Sequence, residues 1–93
     1  MSLEFEWDEA KATENYAKHG VSFELARKVF TDPFAVERID GRHDYGEERI
    51  AIIGMVDGRL LFVVYTMRGE HIRLISARGA EPYERRYYHE QNT

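Results

Sequence analysis

The chain contains no cysteine among its 93 residues. This absence excludes a disulfide framework, a thiolate metal site and a cysteine nucleophile. It suits a reducing compartment, and we expect the protein to be cytoplasmic.

Long apolar runs are also missing. The longest, Leu60 to Tyr65, has the length of a strand and falls far short of the roughly 18 residues that span a bilayer. The N-terminus, Met1 to Glu6, lacks the basic start and apolar core of a signal peptide. With a hydrophobic share of 43%, residues 1–93 are expected to form one globular domain without a membrane association.

The chain lacks the positive charge typical of nucleic-acid-binding proteins, since its formal net charge is −4. The charge is divided unevenly along the sequence. Residues 1–58 hold 7 Lys/Arg and 13 Asp/Glu, whereas residues 59–93 hold 6 Arg and 4 Glu. The acidic part is either ordinary surface charge or a docking surface for a basic protein partner.

Motifs for metals and cofactors are absent as well. The 4 His residues show no ligand spacing, and the carboxylates form no apparent cage. There is no phosphate-binding glycine loop and no nucleophilic serine motif. We therefore expect neither a metal nor a cofactor.

Local signals predict two helices in the N-terminal half. Asp8 is expected to cap a helix over about Glu9 to His19, which Gly20 ends. Ser22 is expected to cap a second helix that stops at Asp32-Pro33.

Strands and a final helix follow. Phe5 to Trp7 is a short strand before the helices, and Phe34 to Ile39 is a strand after them. A polar loop, Asp40 to Glu47, leads to three more strands, and Pro82 opens a helix that runs to about Glu90. The predicted class is α+β, with a small antiparallel sheet, two N-terminal helices and a C-terminal helix.

Two tight turns fix the register of the last three strands. Asp57-Gly58 is a type I′ signal, and Gly69-Glu70 has glycine where a type II′ turn requires it. Two-residue loops place Arg49 opposite Thr66, Thr66 opposite Arg73 and Arg68 opposite His71. One sheet face, here called the arginine face, then collects at one end Arg49, Thr66, Arg68, His71 and Arg73. The other face is apolar and should take the helices.

Clustered guanidinium groups repel one another, so an anion is expected among them. Such a set can bind a phosphodiester and stabilise its transition state. RNA supplies its own 2′-hydroxyl nucleophile, so the protein needs only a modest acid or base in addition, for which His71, His19 or Glu47 is available.

Further residues are candidate RNA contacts, although each also has a structural interpretation. Lys18 and His19 suit the C-terminal end of a helix. Arg78 should fall on the face opposite Arg73 and pair with an acid. Tyr83 and Arg85 can stack on RNA bases. The structural interpretation is that the tyrosine packs the last helix onto the sheet.

The sequence also resembles the BrnT toxin family over nearly its whole length. The matching segments are Phe5-Glu6-Trp7-Asp8 with Lys11 and Asn15, Lys18 to Glu24 with Ala26, Val29-Phe30 with Asp32, Tyr45-Gly46-Glu47 with Arg49, Gly54, Val64 with Thr66 and Arg68, Ile72-Arg73, Ile75 to Arg78, and Glu84-Arg85 with Tyr88.

The resemblance implies a RelE-like fold with helices on one face of the sheet, and a ribonuclease toxin that halts translation. It also implies a BrnA-like antitoxin with a ribbon–helix–helix part, and operator DNA contacted only through the complex. Its expected catalytic surface maps onto Arg49, Thr66, Arg68 and Arg73.

One alternative stays open at this stage. The arginine face can instead belong to a non-catalytic module that docks an acidic protein segment and contributes to DNA-bound autoregulation. A third interpretation is that these arginines form ordinary salt bridges with Glu47, Glu48 and Glu70.

Overall fold

The computed structural model describes residues 3–40 and 47–93. The elements in chain order are β1 (Glu4–Glu6), α1 (Glu9–His19), α2 (Phe23–Ala26) with a 3₁₀ turn (Arg27–Thr31), β2 (Val36–Asp40), β3 (Arg49–Val56), β4 (Arg59–Arg68), β5 (His71–Gly79) and α3 (Pro82–Gln91). The interior of the predicted polar loop, including the Tyr45-Gly46 pair of the family pattern, lies outside the described residues.

The strands form one five-stranded sheet in the order β1-β5-β4-β3-β2. Neighbouring strands from β2 to β5 are antiparallel, which confirms the predicted α+β class. The N-terminal strand departs from the antiparallel expectation, because β1 pairs parallel with β5 at the sheet edge. Two parallel strands need a long connection between them, and residues 7–70 connect β1 to β5.

The predicted caps of the first helices are confirmed. The Asp8 side chain accepts a hydrogen bond from the Lys11 backbone at 3.1 Å, and Gly20 ends α1 with a φ of 71°. The Ser22 hydroxyl accepts from the Leu25 backbone at 3.0 Å. Each cap satisfies a backbone N–H that the first helical turn leaves without a partner.

Both turns have the backbone that the sequence predicts. Asp57 and Gly58 have φ values of 51° and 81°, and Gly69 has a φ of 61°. The resulting ladder pairs Thr66 with Arg73 and Arg68 with His71, as predicted.

Helices cover both faces of the sheet, not one face as expected. α1 and α2 pack on the face of Ile52, Val63 and Leu74, here called the helical face. α3 instead packs Tyr88 and part of Tyr87 against Ala51, Ile53, Phe62 and Val64 on the arginine face. The apolar end of that face has to be buried, and α3 is the element that reaches it directly after β5.

Candidate active site on the arginine face

Glu6 is the centre of the cationic cluster. The parallel pairing of β1 with β5 sets Glu6 beside Arg73 and Glu4 beside His71. One Glu6 oxygen lies 2.9 Å from Arg73 Nη1 and 3.9 Å from Arg68 Nη1. The other lies 3.4 Å from His71 Nδ1. Three side chains from β4 and β5 therefore converge on one carboxylate, and we call these four residues the Glu6 cluster.

The cluster is open to solvent to different degrees. The side chains of Arg73 and Glu6 are 29% and 33% exposed, whereas those of Arg68 and His71 are 58% and 49% exposed. The second carboxylate, Glu4, lies 3.7 Å from His71 Nε2. A ligand can thus reach Arg68 and His71 from outside, while Arg73 is held in place by Glu6.

Arg49 belongs to the same face but to a different local group. Its Nε atom lies 3.9 Å from Glu47, and β2 pairs Asp40 with it across the ladder. The pairing of Ile50 with Tyr65 places Arg49 next to Thr66, in line with the predicted register. The three arginines thus share a face, as predicted, but not a single carboxylate.

Thr66 is buried beneath this surface. It is 1% exposed, and its hydroxyl donates to the Glu48 carbonyl at 2.7 Å. This bond ties the start of β3 to β4. Thr66 therefore has a structural role beneath the site, and its hydroxyl is not accessible to a ligand.

Arg78 also lies on the arginine face, and the prediction that it points to the opposite face is wrong. The ladder pairs Tyr65 with Leu74 but Val64 with Ser76, so Ile75 is an extra residue in β5. Such a β-bulge reverses the alternation that follows it. Arg78 consequently pairs with Phe62.

Arg78 pairs with an acid, as predicted, and the structure shows that this acid is Glu84 in α3. The guanidinium donates to both Glu84 oxygens, at 2.8 and 2.9 Å, and stacks over the Phe62 ring at 4.3 Å. Hydrogen bonding to Glu84 raises the pKa of Arg78. Burial alone would raise the pKa of Glu84, but the hydrogen bonds from Arg78 and from the Glu81 backbone lower it. The pair is therefore ionised and rigid.

A cleft of about 370 Å³ opens between this pair and β2. Its lining includes Arg38, Ala51, Phe62, Arg78 and Tyr83. Tyr83 is 50% exposed, and the Arg38 guanidinium lies 5.5 Å from the Tyr87 ring centre. Two predicted RNA contacts, Arg78 and Tyr83, thus meet in one concave surface.

The other predicted RNA contacts lie elsewhere. Lys18 and His19 end α1, which packs on the helical face, so the sheet separates them from the Glu6 cluster. Arg85 donates to the Ala80 carbonyl at 2.9 Å and does not line the cleft. The structure therefore supports no single surface that contains all five predicted contacts.

Sequence reasoning missed Glu6, Arg38 and Glu84. The alternation of Glu4 and Glu6 with Phe5 and Trp7 signals that both carboxylates share one strand face. Glu84 carries a signal too, because it forms a capping box with Glu81 at the start of α3. Neither signal predicts which strand Glu6 pairs beside or which arginine Glu84 contacts.

Among residues 3–40 and 47–93, no three His, Cys, Asp or Glu side chains are grouped to hold a metal ion. Within the same ranges, no helix combines the length and apolar character needed to cross a membrane.

Comparison with known families gives a match over most of the chain. The family model described as "Ribonuclease toxin, BrnT, of type II toxin-antitoxin system" matches residues 7–84. The matched segment covers the helices of the N-terminal half, strands β2 to β5 and the start of α3; it includes the arginines of the arginine face but not Glu6 in β1. No curated protein matches the chain.

Proposed function

This chain belongs to the BrnT family of ribonuclease toxins of type II toxin–antitoxin systems, and from that premise we propose that it cleaves RNA at the Glu6 cluster without a metal ion. Membership in the family implies RNA as the substrate and an antitoxin as the partner. The proposal adds which residues act and how.

The observation that carries the proposal is the convergence of Arg68, His71 and Arg73 on one carboxylate within 2.9–3.9 Å. The Glu6 oxygens mark the point where the cationic groups can hold an anion. A scissile phosphate next to Glu6 would accept hydrogen bonds from Arg68 and Arg73, with Arg49 on the adjacent strand contacting the next phosphate. Such charge-assisted bonds strengthen as negative charge develops on the phosphoryl oxygens of the pentacoordinate transition state.

Proton transfer falls to His71. It is half exposed, Glu6 lies 3.4 Å from its Nδ1 atom, and Glu4, itself 67% exposed, lies 3.7 Å from its Nε2 atom. His71 removes the proton of the 2′-hydroxyl, the 2′-oxygen bonds to phosphorus, and the bond from phosphorus to the 5′-oxygen breaks. The leaving 5′-oxygen takes a proton from water, and His71 then returns the proton it accepted to the solvent, so the products are a 2′,3′-cyclic phosphate and a 5′-hydroxyl. Glu6 orients the His71 ring through its contact with Nδ1.

The biological setting follows the family resemblance. We propose that RNA cleavage inhibits translation in the cytoplasm, and that a BrnA-like ribbon–helix–helix antitoxin neutralises the protein. The toxin would meet operator DNA only within that complex.

The test is incubation of the purified protein with RNA in the presence of a chelator, followed by analysis of the product ends. We expect 2′,3′-cyclic phosphate ends, and a loss of about 100-fold in rate for Arg73→Ala, the size typical for one transition-state donor. Arg27→Ala is the matched control, because this arginine lies outside the arginine face and pairs with exposed Glu24 at 3.7 Å.

Two results would contradict the proposal. Cleavage that stops in chelator would show that a metal ion is required. Equal rates for folded Arg73→Ala and for the wild type would remove the Glu6 cluster from the mechanism.

A further inference from the structure

The cleft beside α3 lies on the same sheet face as the Glu6 cluster but is displaced along the strands, from Asp40 and Ala51 near Arg49 to Phe62 and Arg78. Along β4, Phe62 in the cleft is four residues from Thr66 and six from Arg68, which corresponds to roughly 13–20 Å of extended strand. On β3, Arg49 comes two residues before Ala51, which lines the cleft. Arg49 therefore lies between the cleft and the Glu6 cluster. An extended nucleic-acid strand bound at the cluster would therefore reach the cleft after a few nucleotides.

The chemistry of the cleft suits a nucleobase better than a phosphate alone. Both terminal nitrogens of Arg78 donate to Glu84, and one face of its guanidinium covers Phe62. The charge of Arg78 is thus already balanced, and what it offers to the cleft is a flat, rigid surface. Arginine planes and tyrosine rings are the surfaces on which unpaired RNA bases stack.

Arg38 supplies the complementary contact to the backbone. It is exposed on edge strand β2, pairs with Ala51 across the ladder, and lines the cleft beside Tyr83. Asp40, paired with Arg49 across the ladder, lines the cleft as well, so the phosphate of a bound nucleotide has to lie on the Arg38 side. The volume of about 370 Å³ lies at the small end of ligand pockets and suits one nucleotide.

Resting on the proposed function, we propose that this cleft is a second nucleotide subsite, in which Arg78 and Tyr83 stack on an unpaired base of the RNA substrate and Arg38 contacts its phosphate. The subsite makes the enzyme prefer single-stranded RNA, because a base in a duplex cannot enter it. It also makes affinity rise with substrate length, once the strand extends from the Glu6 cluster to the cleft.

The test measures binding of 2′-O-methyl oligoribonucleotides of increasing length by fluorescence anisotropy. These probes lack the free hydroxyl and cannot be cleaved by the proposed route. For the wild type we expect a stepwise gain in affinity when the strand becomes long enough to reach the cleft. In Tyr83→Ala, the affinity for the long probes should be lower by about 5-fold or more, because one base–aromatic stack is lost. Tyr83→Phe should retain it, because the ring is kept.

Two matched controls separate the subsite from general effects. Tyr16 is as exposed as Tyr83, at 59% and 50%, but lies on α1 over the helical face, so Tyr16→Ala should bind all probes like the wild type. Arg38→Ala should weaken binding of the long probes, whereas Arg27→Ala should not. The two cleft variants test the subsite independently of each other.

Equal length dependence in the wild type, Tyr83→Ala and Arg38→Ala would overturn the subsite. So would normal RNA binding combined with weakened antitoxin binding in the same variants, since the cleft would then be a protein-docking surface. Length-dependent binding without any RNA cleavage would contradict the proposed function and leave the subsite standing.

Discussion

The Glu6 carboxylate accepts a hydrogen bond from Arg73 at 2.9 Å, across the parallel pairing of β1 with β5. Sixty-seven residues separate the two in sequence. A strand of three residues at the sheet edge thereby places a negative charge among the cations of the site. Loss of this strand would leave Arg68 and Arg73 to repel each other.

We expect Glu6→Gln to separate catalysis from binding. The amide holds the His71 ring less firmly than the carboxylate at 3.4 Å from Nδ1 does, so cleavage should slow by roughly 10- to 100-fold. Binding of an uncleavable RNA should become tighter, because a negative charge leaves the phosphate site. Single-turnover rates and anisotropy titrations measure the two effects. The control is Glu14→Gln, an exposed carboxylate on α1, and a parallel loss of binding and cleavage in Glu6→Gln would argue against the orienting role.

His71→Ala should lower the cleavage rate by about 100-fold or more, the usual contribution of a general acid or base. Binding of the uncleavable RNA should change by much less, because Arg68 and Arg73 remain. His89→Ala is the matched control, since His89 is an exposed histidine on α3. A His71→Ala enzyme that cleaves at the wild-type rate would assign proton transfer to another group.

Glu84→Gln should destabilise the fold. Glu84 is 1% exposed and accepts two hydrogen bonds from Arg78, so loss of its charge leaves a partly buried guanidinium uncompensated. We expect the free energy of unfolding to fall by about 1–3 kcal/mol, at the lower end for buried pairs because Arg78 retains some exposure to water. Urea denaturation measures this change. Glu90→Gln, at an exposed position of the same helix, should stay within ~0.5 kcal/mol of the wild type.

Stability should decrease in acid, partly through Asp32. Burial would raise the pKa of Asp32, but hydrogen bonds from the Met55 and Phe34 backbones and from the Tyr88 hydroxyl lower it below its ordinary value of 3.8. The unfolded state then binds more protons, so the contribution of Asp32 is present above pH 3.8 and is lost as the pH falls through the lower folded value.

The check is the urea midpoint measured between about pH 5 and pH 2. The wild type should lose more stability over this range than Asp32→Asn. Part of the slope should remain in the variant, because the pKa of Glu84 is lowered as well. Identical slopes for both proteins would show that Asp32 titrates alike in the folded and unfolded states.

Asn15 connects α1 to β5 and should be costly to replace. Its side-chain amide donates to the carbonyls of Val21 and Ala77 at 3.0 and 2.8 Å, and its oxygen accepts from the Ala77 backbone at 3.0 Å. Asn15→Ala leaves these buried backbone groups without partners, and we expect a loss of about 2–4 kcal/mol in the free energy of unfolding. Glu14→Ala on the same helix should have little effect. A thermal melt of Asn15→Ala close to that of the wild type would refute this role.

Local structure followed from the sequence because its causes lie within a few residues. Asp8, Gly20 and Ser22 set the ends of the first helices through side-chain and backbone groups three or four positions away. The Gly69 turn sets the hairpin that brings Arg68, His71 and Arg73 together, and the Asp57-Gly58 turn sets the hairpin that adds Arg49. The cationic part of the site is therefore encoded in two turns.

Only the tertiary structure decided what balances and extends that charge. The parallel position of β1, which supplies Glu6, depends on contacts made across the whole chain, and no turn specifies it. The bulge at Ile75 reverses the side-chain alternation in β5 and carries Arg78 to the arginine face. With the bulge, Ala77 faces the helical core, while Arg78 reaches Phe62 and buried Glu84. A strand pattern of alternating residues fits either register, so the choice belonged to the assembled sheet and helices.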